Sequence, residues 1–200
     1  MALAPRAERA AGRVIRVAAR WVAYGGGLLL CGLAAMTVAS IVGRRLSGLG
    51  LGPVAGDYEL VANGVALAVF AFLPWCQLER GHVSVDLVVD LLPDRAKAAF
   101  GLVADGLVAV VAAVVLVQLW RGFGEKFPHG SEGLRRALGM GHKPFFAETT
   151  YELELPVWMP YGAAVLLAAL FAATALYTVW RSLNWTLAGR EALDTADGAA

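Results

Sequence analysis

Charged residues, cysteine and histidine are all scarce in this chain. Acidic and basic side chains make up 16% of its 200 residues and apolar ones 58%, whereas a soluble domain carries about 25% charge. A soluble globular class is therefore disfavoured from the outset. The formal net charge of +1 offers no basic surface for a nucleic acid. Only two cysteines occur, Cys31 in the middle of one apolar run and Cys76 near the end of the next. Their depths differ, so no disulfide is expected, and no metal-ligand spacing is present. The absence of a Cys-x-x-Cys pair argues against a membrane thiol oxidoreductase. His82, His129 and His142 all lie outside the long apolar runs, which disfavours a b-type cytochrome with haem held between helices. Neither a cofactor nor a metal is expected.

What the chain does have is four long apolar runs. A helix needs roughly 20 mostly apolar residues to cross ~30 Å of hydrocarbon, and runs at 21–42, 60–78, 98–120 and 157–180 meet that requirement. The expected fold is an all-α integral membrane protein with four transmembrane helices, in which 21–181 form the membrane domain and 182–200 a C-terminal tail. The third run contains Asp105. A central aspartate costs about 2.5–3.5 kcal/mol on the insertion scale, and the Leu and Val residues around it return roughly 3–7 kcal/mol, so the span survives. The first run is too long for the ~7–15-residue apolar core of a signal peptide, and Arg44-Arg45 follows it without a small-residue cleavage site. It reads as a retained helix.

Residues 1–20 place Arg6, Arg9, Arg13, Arg16 and Arg20 at spacings of three and four, on one helical face. Two readings stay open: an amphipathic helix on an anionic leaflet, ending at Trp21 as an interface anchor, or a frayed basic tail that only sets topology. With four spans, both termini share a side. Lys and Arg number ten on that side and seven on the other, with five of the ten directly before the first span. That bias puts both termini in the cytoplasm and the long 121–156 connection on the periplasmic side. A connection of this length is either functional or disordered.

Between the second and third runs lies Glu79-Arg80-Gly81-His82-Val83-Ser84-Val85-Asp86, continuing to Leu91-Leu92-Pro93. His82, Asp86, Asp90 and Asp94 recur every four residues, with Val85, Val88, Val89 and Leu92 mostly opposite. The pattern predicts a short interfacial amphipathic helix. Ser84 with His82 and Asp86 makes a poor catalytic triad, because positions two apart on a helix face different ways. An enzyme centred on His82 is thus a minor alternative. A standalone carrier is another, with Asp105 on an ion path, since an intramembrane carboxylate is a functional candidate by default. Against it, the spans are nearly uninterrupted and sparsely polar, and no internal repeat is evident. A structural or partner-contact role for Asp105 is favoured. Two small-residue stripes offer packing surface: Gly27, Cys31, Ala35, Ala39 and Gly43 in the first span, and Ala164, Ala168 and Ala172 in the fourth.

Taken in order, these elements resemble the small membrane subunit of tripartite ATP-independent periplasmic (TRAP) transporters, the DctQ-like family. The segment Gly81-His82-Val83-Ser84-Val85-Asp86 with Leu91-Leu92-Pro93 resembles the family's G-H-x-x-V-D stretch and the Leu-Pro that opens its third helix. Arg44 or Arg45 resembles a family arginine, Glu59 its glutamate, and Leu155-Pro156-x-Trp158 its Pro-x-Trp entry to the last helix. The third connection is longer than the family's. The resemblance implies a non-catalytic scaffold subunit in the bacterial inner membrane. Its partners would be a large TRAP permease subunit, the lipid bilayer and, transiently, a periplasmic solute-binding protein, in sodium-driven uptake of a small organic acid. Arg44, Arg45, Glu59, His82, Asp86, Pro93, Asp105, Pro156 and Trp158 are then the expected partner-contact or structural residues. A Glu59 ion pair with Arg44 or Arg45 is expected at the periplasmic surface.

Overall fold

The computed structural model describes residues 4–79 and 94–188. Among them are helices α1 (Pro5–Arg45), α2 (Asp57–Leu78), α3 (Asp94–Lys126), the short α4 (Glu132–Ala137) and α5 (Trp158–Ala188). A single 3-10 turn, Ser47–Leu49, follows α1. Four of the helices are long and apolar enough to cross a membrane. The 22 residues of α2 rise about 33 Å at 1.5 Å each, which matches the ~30 Å hydrocarbon thickness. No strand occurs among the described residues, only an isolated antiparallel bridge between Thr149 and Pro156. The interfacial helix expected between the second and third spans, with His82, Asp86 and Pro93, lies outside the described residues.

The α1 helix runs unbroken for 41 residues, through residue 20 and into the first span. Pro5 occupies its first turn, where a missing N–H costs nothing, and Glu8 complements the positive end of the helix dipole. From there to Tyr24 the chain has no proline and mostly good helix formers, so nothing stops the helix. The segment is packed helix, not a frayed tail. Arg16 pairs with Glu79 at 2.9 Å, and the Arg20 guanidinium lies 5.4 Å from the centre of the Trp75 ring. Asn184 donates to the Glu8 carboxylate.

Helices α2 and α5 form the middle of the bundle. Helix α1 packs chiefly on α2, and α3 on α5. The apolar stretch of α5 is 44% buried, against 11% for those of α1 and α3, so the two flanking helices present most of their surface outward. The core joins Ala112 of α3 to Phe171, Ala172 and Ala175 of α5, with Leu73 of α2 against them. Apolar surface is not driven together in lipid, so association depends on close packing. Small residues supply it. Ala68, Ala112, Ala168 and Ala175 are fully buried, and a Cβ added at Gly26 would stand 2.9 Å from that of Ala71.

The two small-residue stripes have different fates. Ala164, Ala168 and Ala172 of α5 are buried inside the bundle. Cys31, Ala35 and Ala39 of α1 stay exposed, and nothing lies within 4 Å of a Cβ added at Gly27.

Candidate functional site

The polar residues that matter gather at the two ends of the bundle. At the end where α1 begins and α5 finishes, Asp105 of α3 is 6% exposed and bonded on both carboxylate oxygens. Gln77 Nε2 of α2 donates to Asp105 Oδ1 at 3.0 Å, and the Ser182 hydroxyl of α5 donates to Oδ2. The same Gln77 nitrogen donates to Thr178 Oγ1 at 2.9 Å. Three helices are thereby clasped through one carboxylate and one amide. Arg181, one turn above Tyr177 on α5, is also buried and donates to the Leu78 carbonyl at 3.2 Å, capping the end of α2. A buried acceptor without a partner costs roughly 1–3 kcal/mol, so such a cluster is stable only when its members satisfy one another.

At the opposite end, the loop end, Asp57 and Glu59 in the first turn of α2 have separate duties. Ser40 Oγ donates to Asp57 Oδ2 and accepts from Val54 N–H at 3.2 Å. Arg44 stands 3.6 Å from the same carboxylate, and Arg45 is exposed. Glu59 does not pair with either arginine. Its carboxylate accepts the backbone N–H groups of Glu152 and Leu153, at 2.8 and 3.2 Å. Glu152 answers by accepting the N–H of Gly56. The expected Glu59–arginine pair is thus replaced by a reciprocal tie between α2 and the 149–156 hairpin. Two main-chain donors held side by side thus satisfy both oxygens of the Glu59 carboxylate.

That hairpin leads into α5. Thr150 N–H donates to Leu155 O at 2.9 Å, Pro156 bridges back to Thr149, and Val157 N–H donates to Glu148 O at 2.9 Å. Lys126, the last residue of α3, reaches Glu148 at 2.6 Å. Trp158 meets Phe127 edge-on with ring centres 5.4 Å apart, and Phe127 stacks on Phe123 at 5.0 Å. The start of α5 is therefore pinned to the end of α3 by aromatic contacts.

Arg135 of α4 organises the rest of the long connection. It is 1% exposed and donates to six backbone carbonyls. Nη1 reaches Phe127 at 2.7 Å and His129 at 3.2 Å. Nη2 reaches Gly124, Met140 and His142, and Nε reaches Gly141 at 3.2 Å. Gly124 and Phe127 sit at the C-terminal end of α3, where the helix dipole favours a cation.

Residues 33–184 match the model of the family described as tripartite ATP-independent periplasmic transporters, DctQ component. The chain belongs to this family. No curated protein and no solved structure matches it. For a DctQ component, a transporter-subunit family, the arrangement is coherent. Among the described residues no group of three or more His, Cys, Asp or Glu side chains is placed to hold a metal. The polar groups tie helices and loops together rather than converging on a cavity. Of the residues singled out in the sequence, Arg44, Glu59, Pro156 and Trp158 come together around the loop end, and Asp105 lies at the other. Gln77, Ser182 and Arg135 carry as much of this DctQ fold and went unnoticed in the sequence. Gln77 and Ser182 sit at the span ends, where polar residues read as flanks, yet an acid in a neighbouring span calls for a donor at its own depth. Arg135 sits in a short helix of the long connection and carries no sequence signal.

Proposed function

We propose that this DctQ component is the non-catalytic small permease subunit of a TRAP-type secondary transporter. It scaffolds a large permease subunit that carries out sodium-driven uptake of a small organic acid, delivered by a periplasmic solute-binding protein. It lies in the bacterial inner membrane as a multi-pass protein with both termini in the cytoplasm, so the loop end faces the periplasm. The observation that carries the scaffold reading is the division of labour among its side chains. Asp105, Gln77, Thr178 and Ser182 are bonded across helices, and Thr37, Asn63 and Thr174 to carbonyls of their own helices, whereas Cys31, Ala35 and Ala39 of α1 and the outward face of α3 remain uncovered. A protein with its polar groups tied up and its apolar faces open is suited to being packed against. The exposed Phe145, Phe146 and Tyr151 beside the hairpin offer a face for the binding protein.

Co-expression with the large permease should give a complex that survives purification, with substrate uptake only when both subunits are present. Full uptake in vesicles by either subunit alone would overturn the scaffold reading.

A further inference from the structure

We infer that residues 131–140 are immersed in the membrane leaflet at the loop end, with Leu134 and Leu138 against lipid and Arg136 among headgroups. The inference goes beyond the scaffold role and rests on it only in taking the four long helices as membrane spans. Depth is the first argument. Lys126, Glu148 and Val157 are tied to one another, and the same hairpin is tied to Gly56 and Glu59 at the start of α2. These residues therefore mark one level, from which α2 descends about 33 Å, close to the full hydrocarbon thickness. Trp120 lies six residues below Lys126, about 9 Å deeper. Its indole N–H donates to Leu138 O at 2.8 Å. The connection does not rise away from the bundle after α3 but turns back beside it.

Hydrogen-bond saturation is the second argument. Backbone groups within a bilayer must find partners in the protein, because water is not there to supply them. Much of this segment is bonded in that way. Ser131 caps the Leu134 N–H, and the N–H groups of Leu138, Gly139 and Met140 turn back onto Leu134, Arg136 and Arg135 carbonyls. Within the segment Arg135 takes the carbonyl of Met140 and Trp120 that of Leu138, while the other five carbonyls on Arg135 belong to the chain on either side, Gly124, Phe127, His129, Gly141 and His142. A water-exposed loop has no need of a buried guanidinium for this. Met140 seals the inner side at 5% exposure, its backbone so close to Gly124 that an added Cβ there would stand 2.6 Å from the Met140 oxygen.

The outward surface supplies the third. Leu134 and Leu138 are 54% and 45% exposed, beside α3, whose Val114 and Val117 are likewise exposed. Exposed Gln118 and Arg121 follow Val117 on that side of α3, so the apolar surface of the span gives way there to polar groups at headgroup level. Glu132 and Arg136 are exposed as well, and the long basic side chain of Arg136 reaches up to phosphates.

The test uses the full chain in nanodiscs of phosphatidylethanolamine and phosphatidylglycerol, in a Cys31→Ala, Cys76→Ala background. A spin label is placed through Leu138→Cys, Val114→Cys or Tyr151→Cys, one at a time. Collision with oxygen and with a water-soluble nickel chelate is compared. Leu138 should resemble Val114, with a several-fold preference for oxygen, while Tyr151 prefers nickel. Nickel preference at Leu138 with oxygen preference at Val114 overturns the inference alone. Shielding of Leu138 from both reagents overturns it too, because protein would then cover the site. Nickel preference at Val114 overturns the membrane reading itself.

Discussion

Arg135 is the residue on which the loop end depends most. A guanidinium holds five N–H donors in a fixed fork, and here that fork collects carbonyls from the end of α3, from the turn after it and from the 140–142 return. Lysine has three donors on one point charge and cannot reach six separated oxygens. Methionine would fill the volume and leave the carbonyls bare. Arg135→Met should therefore lower stability by about 3 kcal/mol or more, in the tail of single-substitution effects. Arg135→Lys should fall between it and the native chain. Thermal unfolding in detergent measures both, and a loss below about 1 kcal/mol for Arg135→Met would mean that water already serves those carbonyls. Asp105 works differently. Its burial is tolerable because Gln77 and Ser182 donate to it from two other helices, and we propose that it serves assembly of the bundle rather than an ion path.

At the scale of elements, the long helices were legible because each is a long apolar run that nothing interrupts. Their lengths were less so. The α1 helix starts sixteen residues before the apolar stretch does, since its arginine-rich turns find Glu79 and Trp75 to rest on. Partners distant in sequence decide where such a helix ends, and hydropathy does not report them. The same reason hid the fate of Glu59. Its position before the second span suggested a surface ion pair, but the donors that satisfy it are main-chain groups of a hairpin more than ninety residues away. Glu59→Gln keeps one acceptor oxygen and loses the other, so the hairpin should loosen while α2 stays folded. Amide hydrogen exchange should speed up at Glu152 and Leu153 and remain unchanged along the middle of α2. Equal acceleration at both places would show that Glu59 holds the bundle, not the hairpin.

For the whole molecule, the question is which outer surface receives the large subunit, and the two flanking helices make different offers. The outward face of α3 is built from Phe100, Val103, Leu107, Val110 and Val114, all well exposed, a surface of large side chains suited to fluid lipid. The α1 face instead carries Cys31, Ala35 and Ala39 in register, which lets a second helix approach closely. Internal packing does not need that register, because α1 meets α2 through Gly26, Leu33 and Ser40 on a different side. A bulky residue at Ala35 should therefore leave the isolated subunit intact and block its partner. Ala35→Trp is expected to keep the native unfolding temperature in detergent and to abolish co-purification with the large permease. Val114→Trp, on the opposite flank, should leave both unchanged. Ala168→Trp supplies the contrast, because Ala168 is fully buried between helices and the variant should fail to fold at all. Retained complex with Ala35→Trp but loss with Val114→Trp would move the docking face from α1 to α3, while the polar clasps inside the bundle would keep the roles assigned to them.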